Sequence, residues 1–407
     1  MPKVTILQVV PRLDTGGSEQ TTVEIAEALA RAGARALVAT EGGRMATIIE
    51  RSGGEIVPLP VAAKNPLTLL ANARAIARLI EERGIDLVHA RSRAPAWSAL
   101  RAARVTGRPF VTTYHGAYGK PGPLKALYNS VMARGDRVIA NSEYTASLIA
   151  SRQPDAGPRI RVIYRGVDGA VYDPSAIPAE RVAALRKLWG VEPGARIVLH
   201  AARLSGIKGQ RQTIEAAERL AREGVLQDAV VVLAGDDAPG KAGYRRELLD
   251  RVAASGLDGK VKLVGHCADM QAAFLAAHVA LMPSLVPETF GRTSVEAQAM
   301  NCPVIVSDLG ALPETIEAAG DDAGFTGWLV SPADPAALAD AIGNALALSL
   351  AERAEIGARG RERVACKFTL SRMQQATLAV YDELLGSQLA SRFNQGVLER
   401  RAPRTVV

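Results

Sequence analysis

Short apolar runs along the chain alternate with longer stretches in which apolar positions recur every three or four residues. The runs at residues 4–10, 36–39, 55–59, 86–90, 110–114, 137–140 and 160–164 have the length of strands buried on both faces. Between them, residues 18–31, 66–83 and 94–105 carry the helical period, and Gly33 and Gly84 fall where a helix end calls for positive φ. Such alternation predicts a parallel sheet covered by helices on both sides. Residues 168–195 break the rhythm with Gly169, Pro174, Pro178, Gly190, Pro193 and Gly194 around one helical stretch, 180–188, and read as an interdomain connection. Alternation then restarts, with strands expected at 197–201, 229–234, 261–264, 279–282, 304–307 and 327–330, and helices to about residue 385.

The pattern therefore predicts an α/β protein of two doubly wound, Rossmann-like parallel-sheet domains facing a cleft. Residues 1–170 would form the first domain and 171–370 the second. A helix near 371–385 would pack back on the first, and residues 386–407 read as a weakly ordered tail.

Composition narrows the class. In 407 residues, 48% are hydrophobic and 22% charged, which excludes intrinsic disorder. Cys267, Cys302 and Cys366 are scattered and odd in number, as suits a reducing cytoplasm rather than a disulfide scaffold. The opening apolar stretch is too short for a signal peptide, and no uninterrupted apolar run reaches the roughly 18 residues of a spanning helix. The net charge of +7 invites a nucleic-acid reading until it is divided. Residues 1–172 carry 23 basic and 14 acidic side chains, whereas residues 173–371 carry 21 and 25. With only 4% aromatics to interleave with the cations, nucleic acid is not expected as a partner.

Three segments could carry chemistry. Gly16-Gly17-Ser18-Glu19 follows the first strand and opens the first helix, which is either an anion site or an ordinary loop with Ser18 as helix cap. Neither the dinucleotide fingerprint nor the P-loop pattern is present. Arg203 and Lys208 follow the second domain's first strand, at the crevice where α/β domains bind ligands. They read as a diphosphate pair or as two solvated loop cations. Pro287 to Ala297 follows the strand at 279–282 and places Glu288 and Glu296 eight apart, around Phe290-Gly291 and a helix start. With 24 Glu in the chain, roughly 1.4 such pairs arise by composition alone. Context, not spacing, marks this one.

The stretch Pro287 to Glu296 resembles the E-x7-E signature of the retaining glycosyltransferases of family four, which have the GT-B fold. Other pieces match the family in order: Gly16-Gly17, His115-Gly116, Arg165-Gly166-Val167-Asp168, Arg203 with Lys208-Gly209, Cys302 to Ser307, and Gly310 with Pro313-Glu314. The resemblance covers about residues 3–385. It implies that Glu296 bonds the ribose of a sugar nucleotide, and that Glu288, with backbone at Phe290 and Gly291, contacts the donor sugar. Arg203, Lys208 and the N–H groups of Gly17 and Thr293 would hold the diphosphate, and His115 would sit beside the transferred sugar. Two departures stand out: Arg292 where an apolar residue is usual, and Gly235-Asp236-Asp237 in place of the commoner glycine-rich loop.

The resemblance implies no cofactor beyond a donor substrate, most simply a UDP-sugar, with GDP- and ADP-sugars as alternatives. No D-x-D occurs, so no bound metal is expected. From His89 to Arg165 the chain has 13 Lys/Arg against three acidic residues, including Arg91, Arg93, Lys120 and Lys125. Residues 120–137 read as a basic amphipathic helix. This half would receive a lipid-linked or oligosaccharide acceptor at the anionic inner membrane surface, in an enzyme of the lipopolysaccharide or envelope-glycan type that is cytoplasmic and peripherally membrane-associated. Two alternatives remain: another GT-B sugar-nucleotide enzyme, such as a 2-epimerase or soluble sugar transferase, and a non-catalytic sugar-nucleotide-binding protein.

Overall fold

The computed structural model describes residues 3–14, 16–117, 122–237, 243–318 and 324–401, with side chains to residue 395. The chain divides into two compact units, residues 1–166 with 370–407, and residues 167–369.

Among the described residues, the first unit holds β1 (Thr5–Val9), β2 (Arg35–Thr40), β3 (Glu55–Pro58), β4 (Leu87–Ala90), β5 (Phe110–Tyr114), β6 (Arg137–Ala140) and β7 (Ile160–Val162). They form one parallel sheet in the order β3-β2-β1-β4-β5-β6-β7. Every residue of β1 is buried, because helices cover both faces of this central strand and leave no solvent side to alternate with. One face packs against Gly17–Arg31, and the other against Pro66–Arg83 and Arg93–Val105.

The second unit holds β8 (Arg196–Ala201), β9 (Ala229–Ala234), β10 (Val261–Gly265), β11 (Ala277–Met282), β12 (Val304–Ser307) and β13 (Gly327–Val330), parallel in the order β10-β9-β8-β11-β12-β13. Strand order reverses between β1 and β4 and between β8 and β11, and open α/β sheets bind ligands beyond the carboxyl ends of strands at such switch points.

The connection at 168–195 carries its helix within the second unit, where Ile177, Leu185, Trp189 and Val191 are buried in the core. Its glycines and prolines shape turns around a helix, Ala179–Leu188, that packs against the helix Met270–Ala276. One expectation needs correction: the tail is ordered at its start, where the helix Leu389–Arg401 seats Leu389 and Phe393 in the first unit's core. Its two large apolar anchors are separated by Ala390, Ser391 and Arg392 and give little hydrophobic signal. The preceding helix, Leu370–Leu385, buries Met373, Leu378, Val380 and Tyr381 in that core. Gln374 Nε2 donates to the Glu24 carbonyl at 2.7 Å, and Glu383 accepts from both Arg137 and Arg161. Among the described residues no helix is long and apolar enough to cross a membrane.

Candidate active site

In the second unit the site begins where β8 ends. Arg203 is exposed, and the chain then turns so that Lys208 N–H donates to Ser205 O at 2.9 Å. Gly209 has φ 83° and lies so close to Pro283 that a Cβ would stand 2.0 Å from its carbonyl oxygen. Only glycine fits there, which is why the sequence has Lys-Gly before the helix Gln210–Arg222. Lys208 Nζ meets Glu288 Oε1 in an ion pair, and Ser284 Oγ donates to the same oxygen at 2.8 Å.

Glu288 is held by main chain as well: its carbonyl accepts from Ala311 N–H at 2.9 Å, in a bridge between Glu288 and Gly310. Phe290 is buried edge-on against Phe368, with ring centroids 5.7 Å apart, so only its backbone is available to a ligand. Gly291, at φ 103°, caps the helix Arg292–Ala299. Arg292 Nε donates to Glu296 Oε1 at 2.8 Å, and the Tyr172 hydroxyl also bonds Glu296. Burial, and then the Glu296 carboxylate, push the Tyr172 phenol above its ordinary pKa, so it stays a hydrogen-bond donor.

Lys208, Ser284, Glu288, Arg292 and Thr293 line one cavity of about 210 Å³, with His200 at its inner wall. The helix Arg292–Ala299 points its N-terminus at this space, adding N–H groups and a positive dipole end to two cations. Each carboxylate is paired with one of those cations, so the site is nearly neutral as it stands while remaining rich in donors for an anion. Arg203 is outside this lining. The replaced glycine-rich loop keeps a tight approach at Gly235, whose neighbour Asp236 accepts from Leu204 N–H at 2.8 Å.

His200, Ser284 and Tyr172 belong to the site and were not singled out from sequence. His200 is buried, with Nδ1 2.9 Å from Thr213 Oγ1, and burial followed by the Lys208 charge pushes its pKa down to about 3. It is a neutral prop under the Lys208 loop. The one available signal was a histidine in an otherwise apolar strand, two residues ahead of Ala202-Arg203.

In the first unit, Gly16 and Gly17 open the first helix. His115 follows β5 and its Nδ1 contacts Arg165, which also donates to the Gly17 carbonyl at 2.9 Å. The glycine loop, His115 and the segment after β7 thus converge.

The basic face is smaller than expected. Arg91 is 1% exposed, not on a surface. It follows β4, the strand between β1 and β5, and points inside, where Nε and Nη2 donate to Gln8 Oε1 at 2.9 and 2.6 Å. Arg93 donates to Asn129 Oδ1 at 2.8 Å and lies over the Tyr128 ring. Residues 120–137 are not one helix: a short helix, Pro123–Ser130, leads into a 3₁₀ turn with Val131 and Met132 buried, and β6 begins at Arg137. Lys125 is exposed, and Lys120 lies outside the described residues.

Comparison with known proteins fits this arrangement. Residues 15–170 match Glycosyltransferase Family 4, and residues 183–363 match Glycosyl transferases group 1. The structure of a glycosyltransferase from Rickettsia africae is 30% identical, with a TM-score of 0.85 over 95% of this chain and 99% of that one. Anabaena Alr3699/HepE, solved with UDP-glucose, shares the fold at 24% identity and a TM-score of 0.79, over 93% of this chain and all of that one. D-inositol 3-phosphate glycosyltransferase of Mycobacterium tuberculosis is 30% identical over 283 residues, 68% of this chain, and this chain spans about half the length of that relative. The chain belongs to the glycosyltransferases of GT-B fold, with a family 4 N-terminal domain and a group 1 C-terminal domain.

Proposed function

We propose that this protein is a retaining, metal-independent glycosyltransferase that moves a sugar from a nucleotide-diphosphate sugar to a lipid-linked or envelope saccharide at an anionic membrane face. The observation that carries the donor reading is the cavity where Lys208, Arg292 and a helix N-terminus converge beside Glu288 and Glu296. That Anabaena Alr3699/HepE was solved with UDP-glucose supports a UDP-sugar as donor.

Cleaving the anomeric C–O bond builds negative charge on the departing diphosphate, and preorganised cations and N–H dipoles stabilise it. Lys208, Arg203 and the N–H groups at Thr293 are assigned to that charge. Glu288 and the backbone at Phe290 and Gly291 are assigned to the sugar, Glu296 to the ribose, the Gly16-Gly17 loop to the diphosphate and His115 to the transferred sugar. Retention follows from same-face attack: the acceptor oxygen bonds the anomeric carbon as the diphosphate leaves, and its proton passes to the departing phosphate oxygen. The absence of D-x-D supports a reaction without a divalent ion. The test is transfer from a UDP-sugar to a lipid-linked saccharide in EDTA, with the product read by proton NMR. An α donor should give an α product at undiminished rate. A β product, or loss of rate restored by magnesium, contradicts the reading, and an epimerised sugar from donor alone favours the epimerase alternative.

For the membrane face, the helix Pro123–Ser130 carries the support. Leu124 and Leu127 are 84% and 56% exposed, with Lys125 between them. Apolar side chains seated among headgroups and basic residues at ~1 kcal/mol each would give reversible docking. Binding to phosphatidylglycerol vesicles should fall with added salt and drop at least about fivefold in Leu124→Glu/Leu127→Glu, given that burying each leucine is worth roughly 1.5–3 kcal/mol. Equal binding to neutral vesicles contradicts docking.

A further inference from the structure

The contact between Arg165 and His115 decides where the histidine carries its hydrogen. Arg165 follows β7 and is 7% exposed. Its Nη1 donates to the Gly17 carbonyl at 2.9 Å, and its Nη2 meets His115 Nδ1. A guanidinium has five N–H donors, nothing to accept with, and does not deprotonate in a protein. The imidazole nitrogen that it bonds must therefore be the bare one. A neutral His115 then has its hydrogen on Nε2.

The surroundings keep the ring neutral. Burial first, then the charges of Arg165 and Arg91 and the His89 ring, hold the His115 pKa well below the ordinary histidine value. Arg91 itself is fixed by Gln8, and His89 is held between Tyr381 OH at 2.6 Å and Thr113 Oγ1 at 2.7 Å. The cationic side of His115 is thus set by rigid neighbours.

We propose that Arg165 is a positioning residue that locks His115 as the neutral Nε2–H tautomer, so that His115 meets substrate as a hydrogen-bond donor and has no lone pair with which to act as a base. The same guanidinium ties down the glycine loop through Gly17, so one side chain orients both. The role toward substrate rests on the reading that His115 touches the transferred sugar; the tautomer does not. It follows that the acceptor's proton leaves by a route other than His115.

The tautomer is read directly in the wild-type protein with ¹⁵N-labelled histidine, the His115 signals being those missing from His115→Gln. The expected result is an Nε2–H pattern that does not titrate between about pH 6 and 8, where an ordinary histidine does. In kinetics, Arg165→Met should lower kcat roughly 10²-fold, the scale of a misplaced group. In a His115→Ala background the same change should cost no more than about tenfold, the share carried through Gly17 alone, because residues acting as a unit are not additive. His115→Gln, whose amide nitrogen falls near Nε2, should retain more activity than His115→Asn, whose nitrogen falls near Nδ1. An Nδ1–H tautomer, titration of wild-type His115 in that range, or a full Arg165→Met penalty without His115 overturns the proposal. Absence of turnover in the wild-type protein with all donors refutes the role on substrate together with the transferase reading, while the tautomer stands or falls by NMR alone.

Discussion

Lys208→Ala is expected to lower kcat for sugar transfer by roughly 10²–10³-fold, the cost of removing one preorganised donor from a developing oxyanion. The expectation follows from how the lysine is held. Gly209 forces the turn behind it, His200 and Thr213 support the loop from below, and Glu288 with Ser284 fixes the ammonium from the front. A side chain constrained on three sides is preorganised and does not have to be ordered during the reaction. Its removal has a second consequence, because Glu288 is left in the cavity without its counter-charge. Lys208→Ala should therefore weaken donor binding as well as slow turnover. Steady-state kinetics with the identified donor measures both, and a variant with unchanged kcat and KM would remove Lys208 from the chemistry.

The second large effect is on stability. Phe393→Ala is expected to destabilise the first unit by about 3–5 kcal/mol, the usual cost of emptying a fully buried aromatic site. Phe393 is 0% exposed and packs in the cluster formed by the first helix, β1 and the helix Leu370–Leu385. For a unit of this size the unfolding midpoint should fall by roughly 6–20 °C. The second unit, with cores of its own, should melt unchanged. Calorimetry on both proteins resolves this, and an unshifted first transition would show the last helix to be dispensable.

The two-sheet architecture was legible in the chain because buried parallel strands read as continuous apolar runs and are separated by helical periods. The residues at 4–10 and 229–234 show this plainly, and they contain the all-buried interior strands β1 and β9. The site residues at strand ends were legible for a different reason: glycine marks close approaches, and Arg, Lys or Glu beside it has few structural excuses. Gly209 after Lys208 and Gly291 after Phe290 are such positions. Burial of polar groups was not legible. Arg91 belongs to a basic run in sequence, yet it is interior because Gln8, far away in the chain, supplies its acceptor. Tyr172 sits in a glycine- and proline-rich stretch that resembles a linker, and only the fold brings it to Glu296. The helix from Leu389 was missed because its burial depends on two side chains seated in a core assembled from the other end of the chain.

The charge excess changes meaning accordingly. Two members of the basic run, Arg91 and Arg165, are buried, and Arg104, Arg137 and Arg161 are paired with Asp136 and Glu383. The docking proposed here rests on the exposed leucines and Lys125 of one short helix.

The central claim is that the cavity at Lys208 takes the diphosphate of a nucleotide donor. Thermal denaturation with UDP, GDP, ADP and their glucose conjugates, on wild-type protein and on Lys208→Ala, tests it most directly. One nucleoside diphosphate should stabilise the wild type, by about 2.7 kcal/mol at a hundredfold excess over Kd, and most of that shift should vanish in the variant. No shift with any of them, or the same shift in both proteins, would contradict the account.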